Sequence, residues 1–335
     1  MLGRQPAHTK FHCKDFSSLP LCVSAVKNLL HSTIASEKSA NRPTLQKFTN
    51  VPIWKSAGGM RNLFLFSRNF PTVLRVSVQF TILGSGSSGN CAYLETGEAR
   101  LLIDAGLSGR QIRQRLLSIA RTPENLTGIL ITHEHHDHIQ GLTVLAAKLN
   151  VPIYCNRLTK EAIELLVGAP VRCHLFTTGG SFDVNDVRVD TFSVPHDAHD
   201  PVGFMLHTSA GRIGFLTDLG HATKLVLERV KSANALVLEA NHDLKLLQDD
   251  LRRPWSLKQR ILSRHGHLSN AAAADAAEQI VSADLRQLYL GHLSGDCNRP
   301  EIAHRTVSER LTRIGAAHVH ITTASQDTPC ATLTL

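Results

Sequence analysis

A chain of 335 residues, 42% of them hydrophobic, can build one large core or two modest ones, and no uninterrupted apolar run approaches the 18 or so residues that a membrane helix needs. The net charge of +8 is unevenly spread: residues 1–77 hold 11 Lys and Arg against 2 Asp and Glu, whereas the remainder holds 25 against 26. Global charge is therefore no argument for a nucleic-acid partner of the nearly neutral remainder, although a local patch stays open. Seven scattered cysteines without a C-x-x-C pair fit reduced thiols in a cytosol-like compartment, so the expected location is cytoplasmic.

Residues 1–77 mix short apolar runs (Leu19–Val26, Leu63–Phe66) with Ser, Lys and Arg and show no sustained periodicity. They are expected to form a largely disordered basic extension. An organellar transit segment is a rival reading, since the stretch is basic, Ser-bearing and poor in acids, and translation from Met60 is a third.

From Val78 the pattern changes to alternating strand-like and helix-like segments. Val78–Leu83 and Cys91–Glu95 read as strands around the turn Gly84-Ser85-Gly86-Ser87-Ser88-Gly89-Asn90, and Leu101–Ile103 leads into Asp104-Ala105-Gly106. Gly109–Ile119 has helical spacing, with Ile112, Leu116 and Leu117 on one side. Further helices are expected at 159–166, 222–230, 270–281 and 300–314, and further strands at 187–194, 203–206, 213–217, 235–238, 287–290 and 318–322. Two groups of strands, each followed by helices, suit an α/β fold of two packed mixed sheets with helices outside, a four-layer αββα sandwich over residues 78–322. Residues 323–335 read as a short tail.

The densest chemistry lies between the apolar run Gly128–Ile131 and the helix-like run Leu142–Leu149: His133-Glu134-His135-His136-Asp137-His138. His133 and His135, two apart in extended chain, can point to one metal ion, while Asp137 and His138 at the turn into a helix can face a second. Such nitrogen and oxygen donors suit zinc, or manganese and iron in an oxygen-richer setting. The pattern resembles the H-x-H-x-D-H signature of the metallo-β-lactamase superfamily, which is specific for a fold and a metal site but not for a substrate.

Further ligands are expected at strand ends on the same side. His196 would complete the first ion, Asp218 at the end of an apolar strand would bridge both, and His292 would serve the second. His199 has no place in this pattern and reads as a surface residue. Two ions held about 3.5–4 Å apart lower the pKa of a shared water and steady an oxyanion, so the expected reaction is hydrolysis by a metal-bridging hydroxide. Glu239 and His267 stand outside the ligand set. Ser269 can cap the Ala-rich helix after His267, and a carboxylate holding that histidine would orient it to protonate a leaving group; the alternative is that the two only brace neighbouring loops.

The Gly-Ser loop, Asp104-Ala105-Gly106, His196-Asp197-Ala198 with Pro201-Val202-Gly203-Phe204, Leu238-Glu239-Ala240-Asn241-His242-Asp243, Gly266-His267-Leu268-Ser269-Asn270, and His292-Leu293-Ser294 with Asn298 and Pro300 are similar in order and spacing to the YycJ/WalJ (VicX) branch of that superfamily. The resemblance spans roughly residues 78–322. It implies an enzyme with two divalent ions (zinc or manganese, with iron as a further option) that hydrolyses phosphodiesters as a 5′→3′ exonuclease, with DNA favoured over RNA as partner and no membrane involved. A homodimer stays one option for its assembly. The resemblance also implies Asp137, Glu239 and His267 as catalytic residues, and likeness to tRNA 3′-processing phosphodiesterases would have Glu239 and His267 expel the leaving oxygen. The loop residues Ser87, Ser88 and Asn90, with Asn298, are candidate substrate contacts. The 77-residue extension, Ala240 where a serine is expected, and Cys297 where an asparagine is common all depart from the family pattern.

Three rival readings remain. A lactonase, thioesterase or β-lactamase would share the metal core but has less use for the Glu239 and His267 pair. An RNA-processing nuclease would share both. An iron-dependent redox protein of this superfamily usually replaces the second His of the motif by Glu and adds a flavin-binding domain, so His135 argues against it.

Overall fold

Residues 77–335 are described by a computed structural model; the basic extension expected over 1–77 lies, but for its last residue, outside the described residues. The first sheet contains β1 (Gln79–Gly84), β2 (Cys91–Glu95), β3 (Arg100–Ile103), β4 (Gly128–Leu130), β5 (Ile153–Cys155), β6 (Cys173–Leu175) and a final strand, β14 (Leu333–Thr334). The second contains β7 (Ser181–Val184), β8 (Val187–Ser193), β9 (Val202–His207), β10 (Arg212–Leu216), β11 (Ala235–Glu239), β12 (Gln287–Gly291) and β13 (His320–Thr323). Their orders are β14-β1-β2-β3-β4-β5-β6 and β13-β12-β11-β10-β9-β8-β7.

Helices α1 (Gly109–Ser118), α2 (His136–Ile139), α3 (Leu142–Leu149) and α4 (Arg157–Val167) follow strands of the first sheet, and α5 (Lys224–Val230), α6 (Leu244–Asp249), α7 (Trp255–Ile261), α8 (Asn270–Ile280) and α9 (Pro300–Arg313) follow strands of the second. Three apolar clusters fill the space between these layers. Phe80, Leu101, Phe204, Phe215 and Val237 pack between the sheets; Leu102, Ile112, Leu116 and Ile163 join the first sheet to its helices; Leu236, Ala273, Leu288 and Val307 join the second to its own. The result is the αββα sandwich.

Burial on both faces explains why β11 is an unbroken run, Ala-Leu-Val-Leu-Glu, with every residue buried, whereas β8 nearer the edge alternates. Helix starts are set by local chemistry. Ser108 and Gln111 form a capping box on α1, and the side chain of Ser269 accepts from Ala272 N at the start of α8, as its sequence context suggested.

The direction of the strands positions the site. β3, β4, β5 and β6 run parallel, as do β10, β11, β12 and β13. β8 reaches the same direction through two antiparallel pairings. Within each sheet, the segments after β3 and β4, and those after β8, β10, β11 and β12, therefore leave the same edge.

The short tail expected at residues 323–335 requires correction. Phe80 pairs with Leu333 and Gln79 with Thr334, and Cys330 N donates to Ile82 O at 2.9 Å, so the final residues continue the first sheet beyond β1. Strands β5, β6 and β7 and helices α6 and α7 were not foreseen; at three or four residues the strands are too short for an alternation to register.

Phe204 is fully buried between the sheets. Its replacement by Ala is expected to cost about 3–5 kcal/mol in denaturant unfolding, with the metal content of the folded protein unchanged.

Candidate metal centre

Four strand ends deliver the donors. His133 and His135 lie in the segment between β4 and α2, His196 follows β8, Asp218 follows β10, and His292 follows β12. Asp104, Asp218 and His292 each adopt left-handed backbone, with φ of 59°, 56° and 55°. That conformation costs a residue with a Cβ roughly 1–2 kcal/mol, and three such residues around one cluster mark a place where surrounding contacts hold the chain against its preference. A close approach supports the loop from below: a Cβ on Gly106 would lie 1.6 Å from Asp137 O, so only glycine lets the Asp104-Ala105-Gly106 turn pack under the histidine motif.

The seven candidate ligands converge. His133, His135 and His196 form one group, and Asp137, His138 and His292 a second. His135 Nδ1 lies 3.2 Å from His196 Nε2, His292 Nε2 lies 3.3 Å from Asp137 Oδ2, and His138 Nε2 lies 3.1 Å from Asp218 Oδ2. For zinc bonds near 2.0–2.1 Å, the edge of a coordination tetrahedron is about 3.3 Å, so these spacings suit donors around a cation. Asp218 stands between the groups, its Oδ1 3.8 Å from His196 Nε2 and 3.0 Å from His292 Nδ1. His133 Nε2 is buried without a hydrogen-bond partner, and Asp218 Oδ2 is buried with only the His138 ring nitrogen set against it. Burying such polar atoms unpaired is costly, and a divalent ion at each group would satisfy them.

Hydrogen bonds from the other ring nitrogens fix how the imidazoles face. His138 Nδ1 donates to Asp104 Oδ2 at 2.7 Å, and His196 Nδ1 to Gly266 O at 3.1 Å. Thr132 Oγ1 gives its proton to Asp104 and so accepts from His133 Nδ1 at 3.0 Å. Each bond leaves Nε2 as the atom turned into the cluster, where it could take a metal. Asp104, fully buried, was not singled out from sequence; its signal was an Asp at a strand end followed by a glycine two residues on.

Electrostatics within the cluster are those of tightly packed acids and imidazoles. Burial alone would raise Asp218, but His292 and His138 hold it well below the usual carboxylate range. Burial would lower His138 and His292; Asp218 and the neighbouring carboxylates outweigh it and hold both well above the usual histidine range. His133 is driven well below that range by burial and by the charge on His138. Without metal, His138 and His292 thus carry the protons that balance the acids.

Glu239 and His267 meet beside the cluster. His267 Nδ1 donates to Glu239 Oε1 at 2.7 Å, and Glu239 Oε2 accepts from Leu219 N and Leu268 N, both at 3.0 Å. Glu239, His267, His292 and Asp218 could also hold an ion, but Glu239 has both oxygens committed within the protein. His267 opposes its burial and rises above its ordinary range because of Glu239, while Glu239 falls to about 2 chiefly because the charge on His267 outweighs its own burial.

The substrate contacts expected from sequence divide. Ser87 is exposed and lines a cleft of about 300 Å³ over the centre, together with His135, Asp137, Asp218, His267 and His292. Ser88 is exposed but does not line that cleft; its amide donates to Gln326 Oε1. Asn90 and Asn298 require correction. Asn90 is buried, accepts from Ser85 Oγ and Gly86 N, and donates towards Asp137, so it holds the glycine loop to the histidine motif. Asn298 is buried with its amide bonded to Ala240 O, Asn241 O and Asn270, which ties the end of β11 to the start of α8. Ala240 and Cys297, the two departures from the family pattern, are also buried and do not line the cleft. Residues not anticipated do line it: Asn241, whose side chain donates to His292 O at 2.9 Å, and Arg253 and Arg260. His199, expected at the surface, is largely exposed, with Nδ1 on the buried Glu134.

An αββα sandwich carrying this centre defines a metal-dependent hydrolase, and residues 99–293 match the family described as beta-lactamase superfamily domain. The chain belongs to that superfamily and, within it, to the YycJ/WalJ group. It is 39% identical over 72% of its length to the exodeoxyribonuclease YycJ of Bacillus anthracis, covering 91% of that protein. It is 40% identical over 70% of its length to the exodeoxyribonuclease WalJ of Streptococcus pneumoniae serotype 2, covering 89%. In fold it is similar to the metallo-β-lactamase fold protein YhfI of Bacillus subtilis, with a TM-score of 0.58 at 15% identity, over 76% of this chain and 99% of that one.

Because the raised His138 and His292 must give up protons before a metal enters, metal affinity is expected to increase with pH until both are neutral. Isothermal titration of Zn²⁺ in buffers of different ionisation enthalpy should report net proton release. Asp104→Ala is expected to weaken metal binding about 10–100-fold, read in the same titration.

Proposed function

We propose that the chain is a dinuclear-metal phosphodiesterase that degrades DNA from a 5′ end. His133, His135 and His196 would hold one divalent ion, Asp137, His138 and His292 the other, and Asp218 would touch both. Zinc or manganese suits the mixture of imidazole and carboxylate donors. Bound there, the ions would supply an activated water and stabilise charge developing on phosphorus.

The observation that carries phosphodiester chemistry is His267, which lines the cleft against Asp218 and turns Nδ1 to the fully buried Glu239. A histidine held in this way, and raised above its ordinary range by Glu239, keeps its proton to higher pH than a free imidazole would. Its Nε2 edge is then available to protonate the departing oxygen. DNA as substrate and the exonuclease mode are supported by the YycJ and WalJ relatives, which are exodeoxyribonucleases at 39% and 40% identity. A reducing, cytoplasmic setting agrees with five free cysteines among the described residues, where no helix is long and apolar enough to cross a membrane.

The test is purified full-length protein with Mn²⁺ or Zn²⁺, offered 5′-phosphorylated duplex DNA, single-stranded DNA, a tRNA precursor and a lactone. Release of nucleotides from DNA is expected, with loss of that activity in Asp137→Ala and Asp218→Ala. Preference for the tRNA precursor or the lactone would contradict the proposal.

His267→Ala is expected to retain its metal by elemental analysis and to lower kcat about 10²–10⁴-fold. In the unaltered chain kcat should fall as pH rises through the raised pKa of His267, since the acid form is the working one. That alkaline limb should vanish in the variant, and normal turnover there would remove the acid assignment.

A further inference from the structure

Resting on the phosphodiesterase reading above, we propose that Arg253 and Arg260, carried over the cleft by α7 and the turn before it, grip the phosphates on either side of the scissile one. They are the only Lys or Arg side chains among the described residues that line the cleft. They also stand at its two sides. Arg260 Nε contacts Asp197, whose other oxygen lies 3.4 Å from His196 Nε2, so this guanidinium stands beside the first ligand group. Arg253 contacts Asp250 and, at 3.0 Å, Asp296, in the loop that follows His292 beside the second group.

Arg260 spends only Nε on its carboxylate, whereas Arg253 sets one terminal nitrogen on Asp250 and the other on Asp296; each nitrogen of a planar guanidinium that carries a second N–H can still offer it to a phosphate oxygen. Apolar Leu257 and Ile261 of α7 line the same cleft. A nucleic-acid strand crossing the centre would meet a cation, the metal cluster and a second cation in turn. Apart from histidine, the cleft lining carries no aromatic ring, and Trp255 of α7 lies on the far side of the helix from Leu257 and Arg260. Recognition is therefore of the backbone and independent of base sequence. This explains how a domain with no excess of positive charge can hold a polyanion: the cations are few and placed at the site.

The experiment uses the metal-loaded full-length chain and its Arg253→Gln and Arg260→Gln variants. Fluorescence anisotropy with a phosphorothioate single strand reads binding, and nuclease kinetics read KM and kcat separately. Each variant should bind about 10-fold more weakly on every sequence tested. The slope of log K against log salt should fall by about 0.7 for each phosphate that is no longer neutralised. The loss in cleavage should sit mainly in KM, with a smaller effect on a chromogenic phosphodiester that has no flanking phosphate. Arg253→Lys and Arg260→Lys should restore the salt slope, which also covers the case in which a Gln variant folds poorly. Unchanged binding and salt slope in an enzyme that still cleaves DNA would overturn this inference alone. Equal losses on DNA and the small phosphodiester, without a change in salt slope, would reassign Arg260 to positioning His196 through Asp197. A parent chain that binds DNA in this salt-dependent way yet cleaves no phosphodiester would instead remove the reading beneath it.

Discussion

Asp218 is a carboxylate with 2% of its surface exposed, placed among the imidazoles of His138, His196 and His292. A charge so far from water persists only with opposite charge beside it, and the rest of the structure arranges that company. Parallel strands in each sheet bring their ends to one edge. Left-handed backbone at Asp104, Asp218 and His292 turns the chain sharply where it leaves those strands. A glycine at 106 lets the supporting turn press directly on the histidine motif. Each device is locally unfavourable, and all become tolerable only if the cluster they build is compensated, by protons on His138 and His292 or by divalent cations that replace them.

The same compensation separates roles among chemically similar residues. Imidazoles whose Nδ1 is bound to Asp104, Thr132 or Gly266 present Nε2 to the centre and have no freedom to turn. His267 is also fixed through Nδ1, but by Glu239, whose second oxygen is held by two backbone amides. A carboxylate so committed favours a protonated partner over a metal-bound one. The candidate ligand histidines and the proposed acid histidine are thus distinguished by what stands behind them.

Much of this was legible in the sequence because it depends on local pattern. The apolar runs of β10, β11 and β12 end in Asp218, Glu239 and His292, so strand ends and candidate donors could be read together, and the H-x-H-x-D-H spacing needs only a strand followed by a helix. What escaped notice depends on contacts between distant positions. Asp104 supports a histidine 34 residues away, and the Asp-Ala-Gly at its strand end marks a turn without marking the partner it holds. Asn90 and Asn298 looked like substrate contacts because they are polar and sit in loops near the motif; only their burial and saturated hydrogen bonds show them to be braces. Helices α6 and α7, at six and seven residues, are too short for a clear helical period, and with them the two arginines over the cleft were missed. The terminal strand β14 has two residues and is defined only by its partner β1.

Whether two cations share Asp218 is decided by anomalous diffraction from crystals grown with Mn²⁺ or Zn²⁺. Two peaks about 3.5–4 Å apart are expected, one among His133, His135 and His196 and the other among Asp137, His138 and His292, each touching an oxygen of Asp218. A single peak enclosed by Asp218, Glu239, His267 and His292, or none at metal concentrations that should saturate the protein, would contradict the shared-carboxylate centre.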